Sequence, residues 1–301
     1  MRKLFLLLLV LFFSISGFGQ KLNANTALEH LQLLSSDSLM GRRTNTEGSA
    51  MARAYIIDRL SQYGVAAYYP DYIQHFPVKK ENLTGTNIVG YIEGNYEASI
   101  VISAHYDHEG VKDSLIYNGA DDNASGVAAL LELASYFAQN QPDHTLIFCL
   151  FDAEELGLEG SKAFLKSSAV NSASIVLNVN MDMISRSEKG ILYAVGTTHY
   201  PYLSQFLPLG KQGDYTLTTG HDKASQSAQD WTYSSDHGSF HLEKIPFIYF
   251  GVDDHEDYHK PTDTFEKIEP DFYSFSIERI LETLLRIDQS LIEDNEDEDE
   301  K

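Results

Sequence analysis

The run Thr145-Leu146-Ile147-Phe148-Cys149-Leu150 is bounded by polar residues and leads straight into Phe151-Asp152-Ala153-Glu154-Glu155-Leu156-Gly157. An apolar run without polar alternation predicts a strand buried on both faces, as in a parallel sheet flanked by helices. Two adjacent carboxylates follow its C-terminal end, where ligands bind in open α/β sheets. Adjacent side chains diverge, so Glu154 and Glu155 predict separate tasks, one holding a metal and the other moving a proton. Taken alone, the pair reads instead as a solvated helix start, where the macrodipole favours acids; the rest of the chain reverses that.

The rest of the chain supplies a sheet for that strand. Strands are predicted at 87–92 and 99–104, joined by a turn at Glu93-Gly94-Asn95, and again at 145–151, 174–181, 190–195 and 246–250. Helical spacing predicts 25–35 (Leu28, Leu31 and Leu34 on one face), 47–62 (Ala50, Ala54, Ile57 and Leu60 inward) and 124–138. Further helices are predicted near 159–167, at 200–208, and at 271–291 with Ile277, Ile280, Leu281, Leu284 and Ile287 inward. The span 211–244 reads as polar and irregular. Strands alternating with helices imply an α/β fold, a three-layer α/β/α sandwich around a mostly parallel central sheet.

Both ends read differently from this middle. Arg2 and Lys3 precede the apolar run Leu4 to Phe13, and Gly17-Phe18-Gly19 offers small residues, the layout of a cleavable secretory signal over 1–19. The run is too short to span a bilayer comfortably. The expectation is an exported protein, periplasmic or secreted, with no stable membrane insertion. Its domain would cover 20–291, followed by an acidic, disordered tail at 292–301. The formal net charge is −22, and loss of Arg2 and Lys3 takes it to −24, so nucleic acid is excluded as a partner. The single cysteine, Cys149, leaves no intrachain disulfide and reads as a small buried hydrophobe.

Four more stretches put acids and histidines just past strand ends. His105-Tyr106-Asp107 follows 99–104, Gly119-Ala120-Asp121-Asp122 opens the 124–138 helix, Asp182 closes 174–181, and His255 and His259 follow 246–250. Imidazole with carboxylate suits zinc. One such residue is ordinarily structural; five elements delivering one each point to a metal site.

Together these stretches resemble the zinc-dependent aminopeptidases with a co-catalytic metal pair, the M28 peptidases. The resemblance covers nearly the whole chain after the signal, including Ser36-Asp37 to Gly41-Arg42-Arg43 and Tyr258-His259-x-Pro261-x-Asp263-Thr264. It implies about eight strands in the sheet, two zinc ions per chain and a peptide substrate. It further implies His105 and Asp182 as ligands of one zinc, Glu155 and His259 as ligands of the other, and Asp122 as the bridge. Two ions about 3.5–4 Å apart need such an anion between them. Glu154 is implied as general base, and Asp107 as the residue orienting His105 through its other ring nitrogen.

Other residues are read more plainly. Asp121 and His108 are rim or hydrogen-bonding groups, and His255 is a loop histidine. Ser235-Asp236-His237 cannot be a triad, since consecutive residues do not converge; the resemblance instead implies that Asp236 and His237 shape the site wall. The resemblance also implies a tyrosine that faces an oxyanion from the loop before Ser-Asp-His, with Tyr233 as the candidate. Trp231, Tyr233 and Phe240 are candidates for an apolar wall, with core packing as the alternative. Arg186, Lys223 and Lys260 are the cations that a carboxypeptidase would need. Glutaminyl-peptide cyclases share this fold, but the segment Leu156-Gly157-Leu158-Glu159-Gly160-Ser161 favours the peptidase. A catalytically silent binding domain would not need Glu154 and all five ligands.

Overall fold

The computed structural model describes residues 22–223 and 229–290. The segments read as an export signal and an acidic tail lie outside the described residues, as do both boundaries of the 20–291 domain. No helix among the described residues is long and apolar enough to cross a membrane.

The strands are β1 (Ala66–Ala67), β2 (Ile73–Val78), β3 (Leu83–Ile92), β4 (Tyr96–His105), β5 (Gly110–Lys112), β6 (Leu115–Tyr117), β7 (His144–Phe151), β8 (Ile175–Met181), β9 (Ile191–Val195), β10 (Gly210–Gln212), β11 (Tyr215–Thr219) and β12 (Phe247–Gly251). The helices are α1 (Ala24–Leu34), α2 (Glu47–Tyr63), α3 (Gly126–Phe137), α4 (Glu159–Leu165), α5 (His237–Leu242) and α6 (Pro270–Ser290). Ten strands form one sheet in the order β1-β3-β7-β4-β8-β12-β9-β11-β10, with β2 also on β3; β5 and β6 form a separate hairpin.

The middle of the sheet is parallel. β4 lies between β7 and β8, and β12 follows β8 in the same direction. Antiparallel β3 and β9 flank this core. The chain passes from β4 through α3 to β7, then through α4 back across to β8 on the other side of β4. That reversal opens a crevice at the carboxyl ends of the parallel strands.

The run that predicted a doubly buried strand is β7. Leu146, Phe148 and Leu150 join one core cluster, with residues of α1, α2, α3 and α6; Ile147, Cys149 and Phe151 join the other, with Phe164 of α4 and Phe240 of α5. Full burial of each large apolar side chain contributes about 1.5–3 kcal/mol, so both faces hold the strand in register. The α6 face is as predicted, with Ile277, Ile280, Leu281, Leu284 and Ile287 all buried.

Three expectations need correction. The sheet has ten strands rather than about eight, and although the turn at 93–95 joins β3 to β4 as expected, β7 inserts between them. A strand apolar on both faces takes a hydrogen-bonding neighbour on each edge, and sequence adjacency does not choose which. α2 is rotated from its expected phase, burying Ser49, Ala52, Ile56 and Leu60 while Ala50 and Ala54 face out. The span 211–244 contains β11, parallel to β9, and α5; β11 lies one strand in from the sheet edge, and its half-buried threonines leave no clear alternation.

Candidate metal centre

The parallel strands aim their last residues at one crevice. His105 ends β4, Asp182 follows β8, Glu154 and Glu155 sit in the turn after β7, and His259 lies in the loop after β12. Asp122 comes from the turn that leads into α3. The five predicted ligands are brought together. His105 Nε2 is 3.4 Å from Asp122 Oδ1 and 3.2 Å from Asp182 Oδ1. His259 Nε2 is 3.1 Å from Asp122 Oδ2 and 3.4 Å from Glu155 Oε2.

These spacings fit zinc. For bonds of 2.0–2.1 Å, the edge of a tetrahedron is about 3.3 Å. One trio is thus His105, Asp122 and Asp182; in the second set His259 reaches both Asp122 and Glu155, so that the two oxygens of Asp122 are divided between the two histidines, and His259 and Glu155 also cluster with Glu109. His108, Asp122 and Glu155 also cluster, but His108 Nδ1 is only 2.7 Å from Glu155 Oε1. That is a hydrogen-bond length, too short for two atoms on one ion.

The surrounding polar groups aim the trios. His105 Nδ1 faces the backbone carbonyl of Asp107 at 3.1 Å, which fixes the proton there and leaves Nε2 as the free lone pair. The Asp107 carboxylate is farther off, 3.7 Å from the same nitrogen. It instead accepts the amides of Glu154 at 3.1 Å and Glu155 at 3.3 Å. Asp107 orients His105 through its carbonyl, then, and sets the two glutamates with its carboxylate. Ala153 has φ +59°, and the backbone turns there so that the two glutamate side chains diverge.

Asp122 rather than Asp121 faces His105 and His259, and the packing beneath accounts for it. Asp121 Oδ1 accepts from the amide and hydroxyl of Ser185, both at 2.7 Å, and its Oδ2 faces His255 Nε2 at 3.1 Å. Asp263, from the closing motif, accepts the amides of Asp121 and Asp122 at 3.1 Å. His255 is consequently a loop residue that holds Asp121.

Burial pushes the Glu154 carboxyl well above the ordinary carboxylate range; the His105 imidazole opposes this, and Asp182, Asp236 and Glu155 add to it. Bound cations would reverse part of that rise. Burial likewise raises Asp236 to about 7, against the pull of His105. His237 is lowered by burial to about 3; its Nε2 donates to the Trp231 carbonyl at 2.8 Å, and its ring stacks on Tyr249. Ser235 bonds to Asn180. Ser235 and His237 therefore point to different partners and no triad forms, as expected.

The cavity over the trios encloses about 230 Å³. Trp231, Met183, Val252, Tyr249 and Tyr258 supply its apolar wall. Trp231 is held by a flat stack on His221, ring centroids 3.5 Å apart. Four expected wall residues are elsewhere: Tyr233 is 56% exposed and outside the cavity lining, Phe240 is in the core against Phe151 and Phe164, and Asp236 and His237 are fully buried behind the lining. The tyrosines at the cavity were missed, although Tyr258 adjoins His259 and stacks on it at 3.9 Å. Arg186 is buried and ion-paired with Asp257 at 2.6 Å, away from the cavity.

A family model described as peptidase family M28 matches residues 87–284. A curated relative from Pyricularia oryzae, named "Probable zinc metalloprotease", is 35% identical over 161 residues, which cover 47% of this chain and 31% of the relative. The chain thus spans about a third of that relative's length. A leucine aminopeptidase precursor from Bacteroides thetaiotaomicron superposes with a TM-score of 0.71 at 18% identity, covering 89% of this chain and 98% of that one. A glutaminyl cyclase from Porphyromonas gingivalis superposes with a TM-score of 0.70 at 19% identity, covering 87% and 98%. At such identities these two structures speak for the fold.

Proposed function

The chain belongs to peptidase family M28, and on that premise we propose that it is a two-zinc aminopeptidase, removing residues from free peptide N-termini. His105, Asp122 and Asp182 would hold one ion and His259, Asp122 and Glu155 the other. When bound, the pair supplies a water acidified toward neutral pH and a Lewis-acidic grip on the scissile carbonyl. The Glu154 carboxylate takes a proton from the attacking water and delivers it to the leaving amine nitrogen. Its burial suits that work, since a carboxylate held in a desolvated site keeps a proton long enough to pass it on.

The choice of the amino end rests on the charge of the cavity. Among the described residues no lysine or arginine lines it, and Arg186 is committed to Asp257. The carboxylates of Asp122, Glu154, Glu155 and Asp182 would balance two dications, which leaves Asp254 in the wall as the uncompensated charge. Asp253 beside it is already paired with Lys189 and His221. An ammonium finds a partner in such a cavity, and a substrate carboxylate does not.

One tripeptide in three forms tests this. The free and C-amidated peptides should be cleaved at similar rates, and the N-acetylated peptide should resist. Cleavage that survives acetylation and is lost on amidation makes the protein a carboxypeptidase. Ring closure of an N-terminal glutamine peptide without hydrolysis makes it a cyclase.

A further inference from the structure

His108 is buried in the turn after β4, one residue past Asp107. Its Nδ1 is 2.7 Å from Glu155 Oε1 and 3.8 Å from Asp122 Oδ2. An ionised carboxylate only accepts, so the imidazole donates from Nδ1. The other oxygen of Glu155, Oε2, is the one that faces His259 Nε2 at 3.4 Å. The two oxygens of Glu155 are thus divided, as are those of Asp122. We propose that His108 is a positioning residue, locking the Glu155 carboxylate so that Oε2 alone is turned toward the second zinc ion. This rests on the two-zinc reading above.

Two observations beyond the distance carry it. The other ring nitrogen, Nε2, is buried without a hydrogen-bond partner. A buried unpaired polar atom costs about 1–3 kcal/mol, so the ring's polar groups are not all satisfied by this placement, and the Nδ1 bond is what the position provides. Gly119 makes room for the ring. It has φ +55°, and a Cβ there would lie 2.5 Å from His108 Cδ2 and 2.6 Å from Cγ. The imidazole therefore lies against the backbone of the turn that carries Asp122, wedged between that turn and Glu155. It ties one carboxylate of the trio to the segment that supplies the other.

Zinc titration of the metal-free full chain against a competing chromophoric chelator tests the assignment. His259→Ala marks the binding step of the ion held by Glu155, and Asp182→Asn marks the other. His108→Ala should weaken the step marked by His259 by about 10–100-fold, the usual effect of losing an outer partner of a ligand, and leave the step marked by Asp182 unchanged. His108→Asn places an amide N–H near the position of Nδ1–H and should stay within a few-fold of wild type. A merely structural residue would lower the melting temperature of the metal-free protein without separating the two steps. The inference alone is overturned if His108→Ala leaves both steps unchanged, if it weakens both equally, or if His108→Asn is as weak as the alanine variant. Uptake of fewer than two zinc ions by the wild-type chain overturns the two-zinc reading, and this inference with it.

Discussion

His259 Nε2 stands 3.1 Å from Asp122 Oδ2, the oxygen of that carboxylate turned away from the 3.4 Å contact with His105. One side chain thus faces both trios, and its loss should be felt at both. Asp122→Ala is expected to weaken both zinc ions by more than the roughly 10–100-fold that follows loss of an outer partner. Asp121→Asn, one residue away, should keep both ions, because Asp121 is turned to Ser185 and His255. Metal content after dialysis against a weak chelator, with circular dichroism to confirm folding, separates the two variants. Equal loss in both would mean that the bridging role is misassigned.

The glutamates give a second contrast. Glu154→Gln keeps the shape but cannot accept a proton, so kcat should fall by about 10²–10⁴-fold with both ions retained. Glu155→Gln should lose affinity for one ion, since its Oε2 faces His259 at 3.4 Å. Parallel measurement of kcat and zinc stoichiometry decides the matter. Metal loss in Glu154→Gln would remove the division of labour.

Much of this was legible from local pattern. Runs such as 145–150 declare doubly buried strands, and once the strands are placed, acids and histidines at their carboxyl ends fall into one crevice whatever the details. What was not legible depends on distant partners. Arg186 and Asp257 are 71 residues apart, and nothing near Arg186 announces that its charge is taken. Tyr233 is the tyrosine that the sequence singles out, but the loop after Trp231 turns it outward while β12 points Tyr249 at the Asp182 carbonyl. His108 differs from an ordinary rim histidine in its burial and its bond to Glu155; Gly119, which makes room for the ring, is visible in the sequence, but its neighbour is not. The phase of α2 was misread because alanines at 50, 52 and 54 carry little apolar weight; Gly48, whose Cβ would strike the Leu39 carbonyl at 2.0 Å, helps set it instead.

Stability in acid should depend on Asp288 of α6. Its carboxylate accepts the amides of Asp143 at 2.9 Å and His144 at 2.8 Å, and faces His144 Nδ1 at 3.0 Å. Burial alone would raise this carboxyl, but the His144 side chain and the two amides hold it below its ordinary value. A carboxylate depressed by folding contributes stability that is complete above its unfolded pKa, about 3.9, and lost as pH falls through the folded value. Asp288→Asn should therefore cost about 1.5–3 kcal/mol at pH 7. Thermal melts of both proteins should converge as pH drops below about 4. A gap that stays constant down to pH 2 would show that packing of the side chain, and not its charge, is what matters.

Arg42 is the side chain on which the two turns of the site converge. It is fully buried, and its guanidinium donates to the carbonyls of Leu34 at 2.6 Å, Asn118 at 2.6 Å, Tyr106 at 2.9 Å and Gly119 at 3.0 Å. Burial lowers its pKa to about 10 against the pull of Asp122, Asp263, Asp107 and Glu155, so it stays charged at neutral pH. Tyr106 follows His105, and Gly119 opens the turn of Asp122, so this one fork ties together the backbone beside both. Arg42→Lys keeps the charge but gathers its donors at a single point that cannot serve acceptors spread around a planar fork. Each buried carbonyl left unpaired costs about 1–3 kcal/mol. The lysine variant is expected to unfold at clearly lower urea concentration than wild type. Adding zinc should recover only part of the difference, since stabilisation by a ligand depends on its affinity for the folded form and the turns that present His105 and Asp122 would be loosened. Urea unfolding of both proteins with and without zinc reads the two effects separately. A lysine variant within a few tenths of a kcal/mol of wild type would mean that charge alone is needed at this position.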